Sequence, residues 1–333
     1  MIDARTLRQL PSRLTTRMII ESALGRGWKV ELYAPESAHM RLHRPDGKVL
    51  EVYSSIPPTT SLVSTRLSND KYLTHILLQE AGLPVLPTYR AAFVEQATDA
   101  AQRILDAGKA FVVKPLDASH GDGVSVNLQS ITQLAEAFNH AQTFSDASIV
   151  QAYQPVACDI RAVCINYQFV AALERIPARV CGDGTHTVEQ LIQQENQSPR
   201  RGQVYTAELA VIPIDRARSF LGEHISDIPP KDTWAHVLGT ANVGTGGETR
   251  DVTNSLPAWL KDQAEQAAKA LSLPVCGVDF LAQKAPEPGD TPASLGVSIT
   301  ELNKGPSLFI HERPNHGQSQ PVLDAFFAYL ATI

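Results

Sequence analysis

Cysteine is scarce and scattered: Cys158, Cys164, Cys181 and Cys276 are the four in a chain of 333 residues, and no two stand in CxxC spacing. That excludes a zinc ribbon or a disulfide framework as the organising device, and the four read as small buried thiols. No apolar run approaches the roughly 20 residues of a membrane-spanning helix, and the N-terminal MIDARTLRQLPSRLTTRMIIESALGRG lacks the apolar core of a signal peptide. The expectation is a cytoplasmic protein with no membrane partner. Basic residues are not in excess: Lys plus Arg number 29 against 35 Asp plus Glu, a net charge of −6. Such a balance offers no footprint for nucleic acid. Repeats and low-complexity tracts are missing too. What is there is 43% apolar and 19% charged, a globular composition long enough for two or three packed units.

The most informative stretch is GVSITELNKGPSL, residues 296–308. In an extended chain Val297, Ile299, Glu301 and Asn303 point to one face and Ser298, Thr300 and Leu302 to the other. Upstream, LPVCGVDFLAQ offers a second short strand with Asp279 on the face of Val275, Gly277 and Leu281. The prolines and glycines of the intervening KAPEPGDTPASLG read as a hairpin loop, which lets Asp279 sit across from Glu301. Two carboxylates and an amide oxygen form a hard, all-oxygen set suited to Mg²⁺ beside phosphates.

Along the chain, LTTRMIIESAL (14–24) has apolar residues at helical spacing, and WKVELYA followed by HMRLHR and VLEVYS around a PDGK turn suggests a strand and a hairpin. His39, Arg41, His43 and Arg44 then occupy a solvated strand face. The spacing of Leu73, Ile76 and Leu77 predicts a helix over 70–81, with Asn69 as N-cap, Gly82 at C′ and Pro84 beyond. Lys71 in its first turn opposes the helix dipole, a hint of an anionic partner. KAFVVKPLDASHGDGVSVNLQS places strands on both sides of a glycine loop, so no helix follows the glycines as a P-loop or Rossmann turn requires. A hairpin remains, whose tip, Ser119, His120, Gly121 and on to Gly123, could fold over phosphates with its backbone N–H groups. Lys114 in an apolar strand also asks for an anion.

Beyond a helix over 131–142, residues 148–178 read as three strands, with Asp159 and Arg161 two apart on one face. Thr187 and Gln190 form a capping box, Arg200 and Arg201 lie in a turn, and Gly244, Gly246 and Gly247 make a second glycine cluster. A helix over 257–272 begins with Pro257 at N1, and PVLDAFFAYLATI closes the core.

The order VVKPL, glycine hairpin, VQAYQPVACDIR, ALERIPA, GVDF and ITELNKGPS resembles the ATP-grasp superfamily of carboxylate-amine ligases over residues 69–333. ERIPARVCGDGTHTVEQLI, GTANVGTGGETRDVT and IHERPNHG are similar to the ligase domains of cyanophycin synthetase and bifunctional glutathione synthetases. The CDIR and LER elements are also similar to enzymes that add glutamate to ribosomal protein tails. The resemblance implies an α+β fold in which two subdomains clasp ATP. It divides the chain into a short N-terminal α/β unit (1–68), a lid subdomain (69–150) and a metal-binding and substrate subdomain (151–333).

Carried over, Lys71 and Lys114 contact the nucleotide phosphates and Ser119 to Gly123 closes over them. Gln151, Ala152 and Tyr153 form the hinge against adenine, with Asp159 near the ribose. Arg161, Arg175 and Lys114 serve the transferred phosphoryl group, and Asn242 with Thr245, Gly246 and Gly247 cradles the intermediate. Asp279, Glu301 and Asn303 bind two Mg²⁺ ions, for which Mn²⁺ can substitute. The sequence departs from the pattern at Asp122, where a basic residue is usual, and at Gln151 and Ala152, where acidic ones are.

The implied reaction joins an amino-acid or small-peptide carboxylate to an amino-acid amine through an acyl phosphate, releasing ADP and phosphate. With none of the relatives' further modules in the sequence, a single ligation is expected, and a homodimer at the level of the family. His186, His311, Glu312, Arg313, Asn315 and His316 are candidates for touching substrate. Two rival readings stand beside this one: a ligase acting on a peptide or protein tail, and a non-catalytic ATP-binding regulator.

Overall fold

The computed structural model describes residues 2, 13–34, 36–117, 122–155, 157–204 and 206–333. The chain divides into two compact units, neither continuous in sequence: residues 1–58, 173–252 and 307–333 form one, and 59–172 with 253–306 the other.

In chain order, helix α1 (Leu14–Gly25) leads into an antiparallel sheet of β1 (Lys29–Leu32), β2 (His39–His43) and β3 (Val49–Tyr53). Alternation sorts its faces: Val30, Met40, Leu42, Leu50 and Val52 are buried. On the other face Arg41 pairs with Glu31 and Glu51, and His43 and His39 lie beside the same two carboxylates, whereas Arg44, expected on this face, lies beyond the end of β2 and bonds Asp46 and the Ile333 carbonyl.

Helices α2 (Leu62–Asn69) and α3 (Lys71–Glu80) follow, meeting at Asp70. Asp70, rather than the expected Asn69, caps α3: its Oδ1 accepts the N–H groups of Tyr72 and Leu73 at 2.9 Å each. Asn69 is spent as the last residue of α2. Strand β4 (Thr88–Ala91) and helix α4 (Val94–Asp106) come next, then β5 (Phe111–Pro115), β6 (Ser125–Leu128), α5 (Leu134–Gln142) and β7 (Ser148–Ala152). The four strands form a sheet in the order β4-β7-β5-β6. Ala91, Phe111, Val113, Val150 and Ala152 on one face pack against Ala97, Ala101 and Ile104 of α4 and Leu134, Phe138 and Ala141 of α5. By the same alternation Thr88, Lys114 and Gln151 belong to the other face.

Strands β8 (Cys158–Ile165) and β9 (Gln168–Ile176) are neighbours, and the division between the units falls within β9. Then come β10 (Arg179–Cys181), α6 (Val188–Glu195), β11 (Arg201–Gly202), β12 (Leu209–Ala210), α7 (Ile214–Leu221), β13 (Trp234–His236) and β14 (Glu248–Asp251). The capping box of α6 is present: Thr187 accepts from the Gln190 amide and Gln190 from the Thr187 amide. Helix α8 (Ala258–Ala270) takes Pro257 as its N-cap rather than at N1, and packs on β8 and on β15 (Val275–Ala282). The connection to β16 (Ser298–Asn303) holds a turn of helix, α9 (Pro292–Leu295), and the strands pair antiparallel. Helices α10 (Phe309–Glu312) and α11 (Val322–Thr332) end the chain. Of the cysteines, Cys158, Cys164 and Cys276 are buried, whereas Cys181 is exposed, against expectation, at the end of a three-residue strand.

Candidate active site

The second unit gathers most of the charged side chains singled out above, and strand register does the gathering. β15 lies between β8 and β16, with Asp279 opposite Arg161 on one side and opposite Glu301 on the other. Directly opposed residues share a face, so three charged groups converge from three strands. Arg161 grips Asp279 with both arms, Nε to Oδ1 at 2.7 Å and Nη2 to Oδ2 at 2.6 Å, and its Nη2 lies 3.9 Å from Glu301. The Asp279 side chain is only 1% exposed, so this two-point pairing is what permits a carboxylate there. Asn303, opposite Gly277, brings its amide nitrogen within 3.4 Å of Asp279 Oδ2 and of Glu301 Oε1.

The lysines enter from other elements of the same unit. Lys71, at the start of α3, sets its Nζ 3.3 Å from the Leu116 carbonyl. Burial depresses its pKa, opposed by the negative charges of Glu301, Asp117 and Asp70. Lys114 on β5 is depressed further, to about 8: burial is the main cause, the positive charge of Lys71 adds to it, and Glu301 works against it. Its Nζ donates to Gln151 Oε1 at 3.0 Å. Lys71, Lys114 and Glu301 thus form one electrostatic cluster, in which two desolvated lysines lie close enough to act on each other. That is a setting for a polyanion.

Gln151 therefore turns its side chain to Lys114, while Ala152 turns into the core between α4 and α5. The N–H groups of Ala152 and Tyr153 are given to the carbonyls of Pro87 and Ala110, at 2.9 and 2.8 Å. Asp159 lies opposite Leu281 at the far end of β8 from Cys164. Ser119, His120 and Gly121 fall outside the described residues. Gly123 holds a left-handed φ of +69°, and a Cβ there would meet Phe144 at 2.6 Å.

Arg175, Asn242 and Thr245 to Gly247 belong to the first unit. Arg175 lies opposite Thr249 on β14. Asn242 accepts the Gly244 N–H at 2.8 Å and so shapes the glycine turn. A Cβ on Gly247 would come within 2.7 Å of the Ile176 carbonyl oxygen, so the close approach of the turn to β9 requires glycine. Arg201, read from sequence only as a turn residue, has a side chain 1% exposed and donates to the carbonyls of Ala210 and Gly246 and to Glu195. Its fixed guanidinium is the staple behind the turn.

Among the suggested substrate contacts, His316 meets Glu248 at 3.0 Å, and Arg179, stacked over Trp234, holds the same carboxylate at 2.8 Å. Asn315 accepts from the Thr249 backbone and hydroxyl, and Glu312 accepts the Leu323 N–H, so these two anchor loops. His186 is bound to Asp183, whose pKa is lowered to about 2 mainly by the His186 backbone N–H. His311 is fully buried.

Among the described residues no trio of His, Cys, Asp and Glu is gathered for a metal. The set at hand is two carboxylates and an amide, and it fits a hard cation that draws its remaining oxygens from an anionic ligand. Glu301 is the carboxylate best placed for this, being one-third exposed while both oxygens of Asp279 are held by Arg161.

Comparison with known proteins agrees with the architecture. Residues 68–197 match the RimK-like ATP-grasp domain. Cyanophycin synthetase of Synechocystis is 31% identical over 290 residues, covering 83% of this chain and 32% of that protein. The glutathione biosynthesis bifunctional protein GshAB of Listeria innocua is 28% identical over 323 residues, covering 95% of this chain and 41% of its own. The chain thus spans about a third to two fifths of the length of these relatives. A bifunctional glutathione synthetase from Pasteurella multocida superposes with a TM-score of 0.69 at 24% identity, over 97% of this chain and 44% of that one. The chain has the ATP-grasp fold, carries a RimK-like ATP-grasp domain, and is homologous to the cyanophycin synthetases and bifunctional glutathione synthetases.

Proposed function

We propose that this protein is an ATP-dependent ligase that joins an amino-acid or small-peptide carboxylate to an amino-acid amine. The observation that carries the reading is the convergence, within one compact unit, of Lys71, Lys114 and Arg161 with Asp279, Glu301 and Asn303. Supporting it, the relatives are named a cyanophycin synthetase and a bifunctional protein of glutathione biosynthesis.

A free carboxylate does not acylate an amine in neutral water, because an oxide is too poor a leaving group. Transfer of the γ-phosphoryl group of ATP to a carboxylate oxygen forms a C–O–P linkage and releases ADP. The amine then forms the C–N bond, the C–O bond to phosphate breaks, and the amine proton passes to solvent. The chain has to hold triphosphate and carboxylate together against their repulsion, and Lys71 and Lys114 are the groups for the phosphates. Arg161 takes the phosphoryl oxygens on the same terms, and Arg175 is assigned to the acyl phosphate. Gln151 to Tyr153 with Asp159 receive the adenosine end, the Ser119–Gly123 loop keeps water out, and Asn242 with Thr245 to Gly247 receives the intermediate.

Asp279, Glu301 and Asn303 would hold two Mg²⁺ ions, or Mn²⁺ in their place. The ions would supply neutralisation of phosphate charge. Residues 69–150 would act as a lid subdomain, 151–333 as the metal and substrate subdomain, and 1–68 as an accessory unit. No helix among the described residues is long and apolar enough to cross a membrane. Dependence on ATP favours the cytoplasm as the workplace.

Hydroxylamine trapping tests the reaction. Purified protein with Mg·ATP, hydroxylamine and a panel of amino acids and small peptides is expected to yield a hydroxamate of one carboxylate, read by mass spectrometry. ADP release without any hydroxamate would overturn the acyl-phosphate route.

A further inference from the structure

Lys114, Gln151 and Thr88 form a chain of hydrogen bonds across three neighbouring strands, buried at its Gln151–Thr88 link and part-buried at either side. Lys114 Nζ donates to Gln151 Oε1 at 3.0 Å, Gln151 Nε2 donates to Thr88 Oγ1 at 2.7 Å, and Thr88 Oγ1 donates to the Leu86 carbonyl at 2.7 Å. Thr88 and Gln151 are both 7% exposed and stand directly opposite each other in the β4–β7 ladder.

The direction of this chain is fixed at both ends. A backbone carbonyl can only accept, so the Thr88 hydroxyl must spend its single proton on Leu86 and offers Gln151 a lone pair. The Gln151 amide must then present N–H to Thr88 and its oxygen to the lysine. A protonated lysine can only donate, so the other end agrees. A glutamine has two nearly isosteric ends, and only one of them suits an ammonium. The ammonium selects it, and the Thr88 hydroxyl holds the other end in place.

We infer that Thr88 is a positioning residue for nucleotide binding: acting through Gln151, it aims Lys114 at the phosphates. The inference rests on the ligase reading, in which Lys114 meets phosphate. Thr88 touches no substrate. One Lys114 proton is anchored on Gln151, which leaves the ammonium oriented before a phosphate arrives, and pre-orientation of a rotamer-rich side chain raises affinity. Without the Thr88 hydroxyl, the Gln151 N–H₂ loses its acceptor, and the amide is tied only at its lysine end. Its oxygen then no longer marks a fixed point for Lys114, and the lysine loses its aim.

Calorimetric titration of the whole protein with Mg·ADP supplies the test. Thr88→Val, close in shape and lacking only the hydroxyl, should weaken Mg·ADP binding about tenfold, the upper end of the scale for one lost neutral hydrogen bond. Thr88→Ser should restore it. A pure packing role for Thr88 predicts the opposite order, since Val keeps the branched shape and Ser loses a methyl: Thr88→Val would then bind as the wild type does and Thr88→Ser would weaken. Unchanged affinity in a folded Thr88→Val protein would overturn the inference, as would an equal loss in Thr88→Ser. If the wild-type protein itself fails to bind Mg·ADP, the nucleotide reading falls, and the inference falls with it.

Discussion

At the scale of single residues, the site consists of charges that the fold could not tolerate singly. Asp279 sits where water does not reach, and Arg161 satisfies both its oxygens. Removing the cation by Arg161→Ala would strand a buried carboxylate, a change worth roughly 3–5 kcal/mol. Urea unfolding should show that loss, while Arg161→Lys, which keeps charge but forfeits the two-point grip, should lose less. Lys114 makes a different statement. Burial holds it near 8 when folded against an ordinary 10.5, so the unfolded chain binds its proton more tightly. The penalty of a buried charge is then fully present below pH 8 and is relieved as pH rises from about 8 to 10.5, so this group adds stability over that window. Phosphate binding follows the opposite course, since it needs the ammonium. The KM for ATP should rise as pH passes about 8, by up to tenfold per unit, and Lys114→Arg should flatten the rise. A KM independent of pH between 7 and 9.5 in the wild-type protein would contradict the placement of Lys114 against phosphate.

At the scale of elements, the start of α3 ties local stability to the site. Asp70 caps two backbone N–H groups, and Lys71 follows it at the first helical position. The Asp70 carboxylate also offsets the unfavourable meeting of the lysine charge with the helix N-terminus. Asp70→Ala should lower stability by about 1 kcal/mol, and it should weaken Mg·ADP binding several-fold because the first turn that carries Lys71 frays. Asp70→Ser should preserve both, which would show that the cap is the operative part. A wild-type denaturation midpoint in Asp70→Ala would remove the argument. Much of this was legible in the sequence: α3, the capping box of α6 and the pairing of Asp279 with Glu301 all follow from spacing and turn residues. Helix α4 carried the same kind of signal in Ala97, Ala100, Ala101 and Ile104, but alanine is a weak marker of a buried stripe and the segment drew no reading. Arg161 as the partner of Asp279 was out of reach, because periodicity is local and the register of β8 on β15 joins residues more than a hundred positions apart. Thr88 and Arg201 were hidden for a related reason, since their importance lies in what they touch and their types are common in any loop or strand.

At the scale of the whole molecule, the chain returns to each unit after leaving it. The groups assigned to the nucleotide are concentrated in the unit built from 59–172 and 253–306, and those assigned to the intermediate, apart from Arg161, lie in the other. A ligand that supplies phosphates but no acyl group should consult the first set alone. Mg·ADP at a hundred times its Kd stabilises the state that binds it by about 2.7 kcal/mol. Hydrogen exchange should therefore slow in peptides from α3, β5, β7, β15 and β16 when Mg·ADP is added. The β1–β3 sheet, residues 29–53, belongs to the other unit and holds none of the assigned groups, so its exchange should not change. Local opening makes the comparison possible, because each region exchanges through its own cheapest fluctuation rather than through global unfolding alone. Protection that appears first at Asn242 to Gly247, with β5 and β16 unaffected, would move the nucleotide out of the unit that holds Lys71, Lys114 and Glu301. Slowed exchange confined to those five elements would fix its position from the protein's own dynamics, without a product having to be identified.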